Sequence, residues 1–118
     1  MKYRLLVCGS RYWINREAIL KKLRTYPKNT VLIHGACKGA DSLAASIGRE
    51  LGFDTISFPA DWARYRKGAG PIRNQQMLDE GKPTHVIAFH ENLANSAGTK
   101  DMINKAMNVG LTVDLITS

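Results

Sequence analysis

Two glycine-bearing segments of this 118-residue sequence have the make-up of anion cradles: "HGACKGAD", His34 to Asp41, and "ANSAGT", Ala94 to Thr99. Each leads from an apolar run into a helical pattern, so the free N–H groups of a helix start would face whatever the loop encloses. Gly35, Gly39 and Gly98 let backbone approach a ligand closely, and Gly9 in "CGSR", followed by Ser10, does the same near the start of the chain. Neither segment is a GxGxxG fingerprint, and no Gly-Lys-Ser/Thr follows to make a Walker loop. A single loop of this kind reads better as a tight turn with close helix–strand packing. Two opposed loops favour a phosphate or diphosphate.

The charged and aromatic residues nearby have two readings each. Arg73, in "GPIRN" with Asn74, is expected in the first turn of its helix, where the positive helix end repels it unless an anion is present; a surface salt bridge is the competing account. Arg11 in "GSR" is placed similarly. Asp41 either caps its own helix or accepts hydrogen bonds from ribose hydroxyls, and Asp61 in "PADW" allows the same pair. Trp13 and Trp62 could stack on a nucleobase or belong to core or interface. His34 and Ala36 flank Gly35 and join the candidate ligand-binding set. His34, Cys37, Cys8, His85 and His90 lack CxxC or HxxxH spacing, so no metal and no cofactor is expected. Cys37 stands near a helix start but has no evident base partner.

The elements that must position these residues alternate. Apolar runs mark strands at Lys2 to Cys8, Thr30 to His34, Asp54 to Phe58, His85 to Phe89 and Leu111 to Ile116. Helices are expected from an Asn15 cap to about Tyr26, from about Ala40 to Leu51, from Pro71 to Gly81, and from Gly98 to Asn108. Pro59 to Gly70 reads as a long loop. This alternation gives an α/β fold, a Rossmann-like three-layer α/β/α arrangement around a mostly parallel five-stranded sheet. "LLVC", "VLI" and "VIAF" are continuously apolar, as central strands are, whereas "DTISF" and "LTVDLI" alternate as edge strands do. The order 3-2-1-4-5 satisfies both, and it brings the conspicuous clusters to one edge of the sheet, around the switch point between strands 1 and 4.

Composition adds bounds. The length suits one domain, residues 1–118, and no apolar run approaches the roughly 18 residues of a membrane span. Two cysteines do not make a disulfide framework, which points to a reducing, cytoplasmic setting. The net charge of +7 favours anionic partners, although the basic residues are scattered rather than clustered.

Together "CGSR", "HGACKGAD", "FPADW", "GPIRN" and "SAGT" make a set that resembles the YspA/YpsA-related branch of the SLOG superfamily. The same Rossmann-like fold serves Lonely Guy phosphoribohydrolases and DprA. The resemblance implies a nucleotide-type ligand related to NAD or ADP-ribose, and commonly a homodimer. It aligns Gly9 and Ser10 with the glycine-serine ending strand 1, and Gly35, Gly39 and Asp41 with the second loop. It aligns Arg73 with the arginine at the phosphoribosyl group, and Ser96, Gly98 and Thr99 with the PGGxGTxxE phosphate loop. Ala94, Asn95 and Ser96 replace Pro-Gly-Gly, and Met102 stands where the enzymes have glutamate. Glycosidic cleavage wants a carboxylate near the anomeric carbon. Either Asp41 or Asp61 replaces it, or the protein binds without cutting.

Three functions remain in play. The first is a sensor or sequestering protein for a phosphate-bearing nucleotide, ADP-ribose-like or cyclic. The second is a nucleotide N-glycosidase or phosphoribohydrolase using Arg73 and an aspartate. The third is DprA-like binding of single-stranded DNA through Trp62, Arg64, Tyr65, Arg66 and Lys67. No membrane partner is expected.

Overall fold

The computed structural model describes residues 2–118. Its apolar runs form five strands: β1 (Arg4–Gly9), β2 (Val31–His34), β3 (Asp54–Ser57), β4 (His85–Phe89) and β5 (Val113–Ile116). All neighbouring pairs are parallel, in the order β3-β2-β1-β4-β5. β1 is the central strand, with Leu5 opposite both Leu32 of β2 and His85 of β4. The two edge strands are the expected ones, and their residues are largely half-buried or exposed.

Five helices complete the layers: α1 (Arg16–Leu23), α2 (Ala40–Glu50), α3 (Trp62–Tyr65), α4 (Ala69–Gly81) and α5 (Ala97–Asn108). Side chains alternate across a strand, so β1 feeds both faces of the sheet. Leu5 and Val7 pack with Ile19, Leu23 and Ile47 under α1 and α2. Leu6 and Cys8 pack with Met77, Met102 and Ala106 under α4 and α5. All of these residues but Met77 and Cys8 are fully buried, and each large aliphatic among them contributes roughly 1.5–3 kcal/mol through removal from water.

Several boundaries differ from expectation: β1 starts at Arg4, α1 ends at Leu23 and β5 starts at Val113, and the larger differences lie around the site. The stretch Pro59 to Gly70 is not a plain loop: it contains α3, capped by Asp61, and a tight helical turn at Arg66–Gly68. A four-residue helix is too short to show hydrophobic periodicity. α4 consequently starts at Ala69, and Pro71 is its third residue rather than its first, a position where a missing N–H still costs nothing. At the other end of the site, α5 begins at Ala97 with Ser96 as cap.

Close backbone approach fixes the loops that meet above β1. A side chain on Gly9 would be driven into the Phe89 carbonyl oxygen and would lie 2.9 Å from the Ala40 Cβ. Gly39, at φ 74 and ψ −122, caps α2 in a conformation available almost only to glycine, and a Cβ there would collide with the Ser10 and Arg11 backbone. Gly39→Ala is therefore expected to destabilise the protein by about 2 kcal/mol or more. Urea unfolding of the variant against wild type measures this, and an unchanged midpoint would refute the role of this contact.

Candidate functional site

Where the strand order reverses, between β1 and β4, a cleft of about 720 Å³ opens at the carboxyl ends of the strands. Ser10, Arg11 and Tyr12 of the β1–α1 loop form one wall. Lys67, Arg73 and Asn74 form another, and Glu91 and the Ser96–Thr99 turn close the far side.

The loop between β2 and α2 does cradle an anion, and the anion is its own Asp41. Asp41 is 5% exposed, and its Oδ2 accepts the N–H groups of Gly35 at 2.9 Å and Cys37 at 3.3 Å. Ala36, at φ 60, turns the chain so that these two amides converge. The Ala36 N–H donates to His34 Nδ1 at 3.0 Å, and the Ala40 N–H to the Ser10 carbonyl at 3.0 Å. Burial holds the His34 ring neutral, with the Arg49 charge acting the same way. The amides that resembled a phosphate site are thus used internally. Burial also pushes the Asp41 carboxyl up to about 6, against the opposing pull of the Cys37 amide, the Arg73 charge and the Gly35 amide. The neighbouring Cys8 thiol is raised far above its ordinary range by burial, and by Asp41 to a smaller extent, and is unreactive packing.

Arg73 sits in the second turn of α4, so repulsion at a helix start does not describe it. It makes no ion pair among the described residues either. Its Nη1 donates to the Gly35 carbonyl at 2.5 Å, and its Nε donates to Asn74 Oδ1 at 3.1 Å. Both terminal nitrogens lie 3.8 Å from Cys37 Sγ. Asn74, 5% exposed, passes the connection on: its Nδ2 donates to the Gly98 carbonyl at 3.2 Å and to Asp101 Oδ2 at 3.0 Å. Lys105 neutralises Asp101 from 2.7 Å.

The start of α5 is the opening that remains. Ser96 Oγ accepts the Thr99 N–H at 3.2 Å, which leaves the Ala97 and Gly98 amides without an intrahelical partner. A Cβ on Gly98 would meet nothing within 4 Å, and both Ala97 and Gly98 line the cleft. A helix of this length carries partial positive charge at that end.

Of the residues expected from sequence, Gly9, Ser10, Arg11, Asp41, Trp62, Arg73, Asn74, Ser96, Gly98 and Thr99 line the cleft. His34, Gly35, Ala36 and Gly39 stand behind its wall as supports. Asp61 caps α3 through the Arg64 N–H at 3.1 Å and does not line the cleft. Trp13 is core, 4% exposed against Phe89, whereas Trp62 is 52% exposed on the rim. Sequence reasoning missed Tyr12, Glu91 and Asp101, and named Lys67 only in the candidate single-strand strip. The available signal was position: Glu91 follows β4 much as Ser10 follows β1, and Asp101 is one turn beyond Gly98. Among the described residues no cluster of His, Cys, Asp or Glu suits a metal ion. No helix among them is long and apolar enough to cross a membrane.

Asp41 makes stability depend on pH. Its ordinary value is 3.8 and its folded value about 6, so the unfolded chain releases this proton first as pH rises. The contribution is fully present below about pH 4 and is lost through pH 6, by roughly 2–3 kcal/mol. The wild-type minus Asp41→Asn difference in unfolding free energy should fall by this amount between pH 4 and 7. A difference that stays flat, or rises, would overturn the assignment.

Comparison with known proteins places the chain among relatives. The family model for the YspA, cpYpsA-related SLOG family matches residues 3–65. The chain is similar to the Gene 61 protein of Mycobacterium phage D29, with 33% identity across 93% of this chain and 93% of that protein. The residues matched by the family model span β1 to β3 and the glycine-bearing loops after β1 and β2. The chain belongs to the YspA, cpYpsA-related SLOG family.

Proposed function

We propose that the protein binds a phosphate-bearing nucleotide or nucleotide-derived signal, ADP-ribose-like or cyclic, and acts by sensing or sequestering it. The observation that carries this reading is the open start of α5 sharing one cleft with Arg73. The phosphate goes to the Ala97 and Gly98 amides, with the Arg73 guanidinium adding charge. The exposed Trp62 ring offers a face for the base.

The charge pattern favours a nucleotide over a nucleic-acid strand. Arg11, Lys67 and Arg73 share the cleft with Asp41, Glu91 and Asp101. A single-strand groove tracks a polyanion and is uniformly basic; this cleft suits a ligand with an anionic end and a neutral, hydroxyl-rich one. Met102 is fully buried at the cleft floor and offers no carboxylate.

A cleavage reading has one observation in its favour: Asp101, beside Met102, presents a carboxylate to the same cleft. Release of free base from nucleoside monophosphates, abolished in Asp101→Asn, would establish it. Intact substrate after long incubation would remove it.

Titration calorimetry against ADP-ribose, NAD, AMP and cyclic nucleotides tests the binding reading, and no heat with any of them would refute it. Arg73→Ala is expected to weaken binding about 10- to 100-fold. Gly98→Ala separates function from stability. A methyl group fits the empty space and suits a helix, so stability should stay equal or rise by up to about 1 kcal/mol, while ligand affinity falls. Unchanged affinity in Gly98→Ala would place the phosphate elsewhere.

A further inference from the structure

The sugar of such a nucleotide needs a partner, and the two expected aspartates are poorly placed, Asp41 being 5% exposed with one oxygen committed to the loop and Asp61 lying off the cleft. Asp41 Oδ2 is held by the Gly35 and Cys37 amides, and Asp61 caps α3 off the cleft wall. Glu91 is placed differently. Its carboxylate is solvent-exposed, lines the cleft, and has Oε1 fixed by the Ser10 hydroxyl at 2.8 Å.

The mount of this carboxylate is rigid. Ser10 is 3% exposed and is tied at several points. Its N–H donates to the Phe89 carbonyl at 2.9 Å, its carbonyl accepts the Ala40 N–H at 3.0 Å, and its hydroxyl accepts the Tyr12 N–H at 3.0 Å. The residues flanking Glu91 are fixed as well. The His90 N–H donates to the Ile116 carbonyl at 2.9 Å, and the Asn92 N–H to His90 Nδ1 at 2.9 Å. The carboxyl is held below its usual range by its own backbone N–H and by the Ser10 hydroxyl, so it is an acceptor throughout the neutral range.

A fixed anion in this cleft repels phosphate and requires a donor. A bridging metal ion is poorly served, since no group of three or more His, Cys, Asp or Glu side chains among the described residues could hold one. Vicinal hydroxyls fit: they supply two donors to a carboxylate, the same chemistry that an acidic residue performs on ribose in dinucleotide folds. We propose that Glu91, oriented by Ser10, binds the ribose diol of an ADP-ribose-like ligand, one with free 2′- and 3′-hydroxyls, so that the protein selects ribonucleotides over their deoxy counterparts.

This inference rests on the nucleotide reading above, and one calorimetric panel separates the two. The probes are the four ribonucleoside 5′-diphosphates and their 2′,3′-dideoxy analogues, titrated into wild type, Glu91→Ala and Glu91→Gln. Wild type should prefer a ribonucleotide over its dideoxy analogue by about 10- to 100-fold, the range for hydrogen bonds to a charged acceptor. Glu91→Ala should erase that preference while its affinity for the dideoxy compound stays equal or rises, and Glu91→Gln should retain part of it. A preference undiminished in Glu91→Ala, or equal wild-type affinity for both sugars, overturns the diol assignment and leaves nucleotide binding intact. An equal loss for both sugars in Glu91→Ala would show the carboxylate reading another part of the ligand, which overturns it too. No binding of any probe by wild type would overturn the diol assignment, and the nucleotide reading falls with it only if ADP-ribose, NAD, AMP and cyclic nucleotides give no heat either.

Discussion

The peptide group of Gly35 is the joint on which the site hangs. Its N–H is held by Asp41 and its carbonyl by Arg73. From Arg73 the chain of hydrogen bonds runs through Asn74 to the Gly98 carbonyl and Asp101. One buried carboxylate therefore fixes a loop from β2, an arginine on α4 and the first turn of α5 relative to one another. Low local dielectric strengthens such a network and makes each broken member costly. The cleft is pre-arranged because its polar supports satisfy each other before any ligand arrives.

The same economy explains why two similar-looking loops differ in role. A helix start is an anion site only while its amides are unoccupied. In the β2–α2 loop a carboxylate six residues after Gly35 fills the concavity from within. At the start of α5 the cap is a serine, which takes the Thr99 amide and leaves those ahead of it open. Two glycine-rich turns, one neutral cap and one acidic side chain are enough to make a support of one and an opening of the other.

Much of this was readable from the chain. Continuous apolar runs separated central strands from alternating edge strands, which set the sheet order and brought the loops to one edge. The start of α4 was not readable, because α3 is a single turn with no periodicity and Pro71 sits as comfortably third as first in a helix. The inward turn of Asp41 depends on the left-handed conformation at Ala36, which no residue preference announces. Glu91 and Asp101 carry no motif; they become meaningful only when folding sets them beside Arg73 and the open helix end.

The contrast between the two tryptophans has a practical side. Trp13 is sealed against Phe89 with its indole N–H on the Asn15 carbonyl, while Trp62 stands half in solvent on the rim. They are the only indoles in the chain. Intrinsic fluorescence therefore contains two spectrally and spatially separate reporters: a blue-shifted one shielded from iodide that follows global unfolding, and a quenchable one that follows events at the cleft. Each can be silenced by a phenylalanine without adding a label.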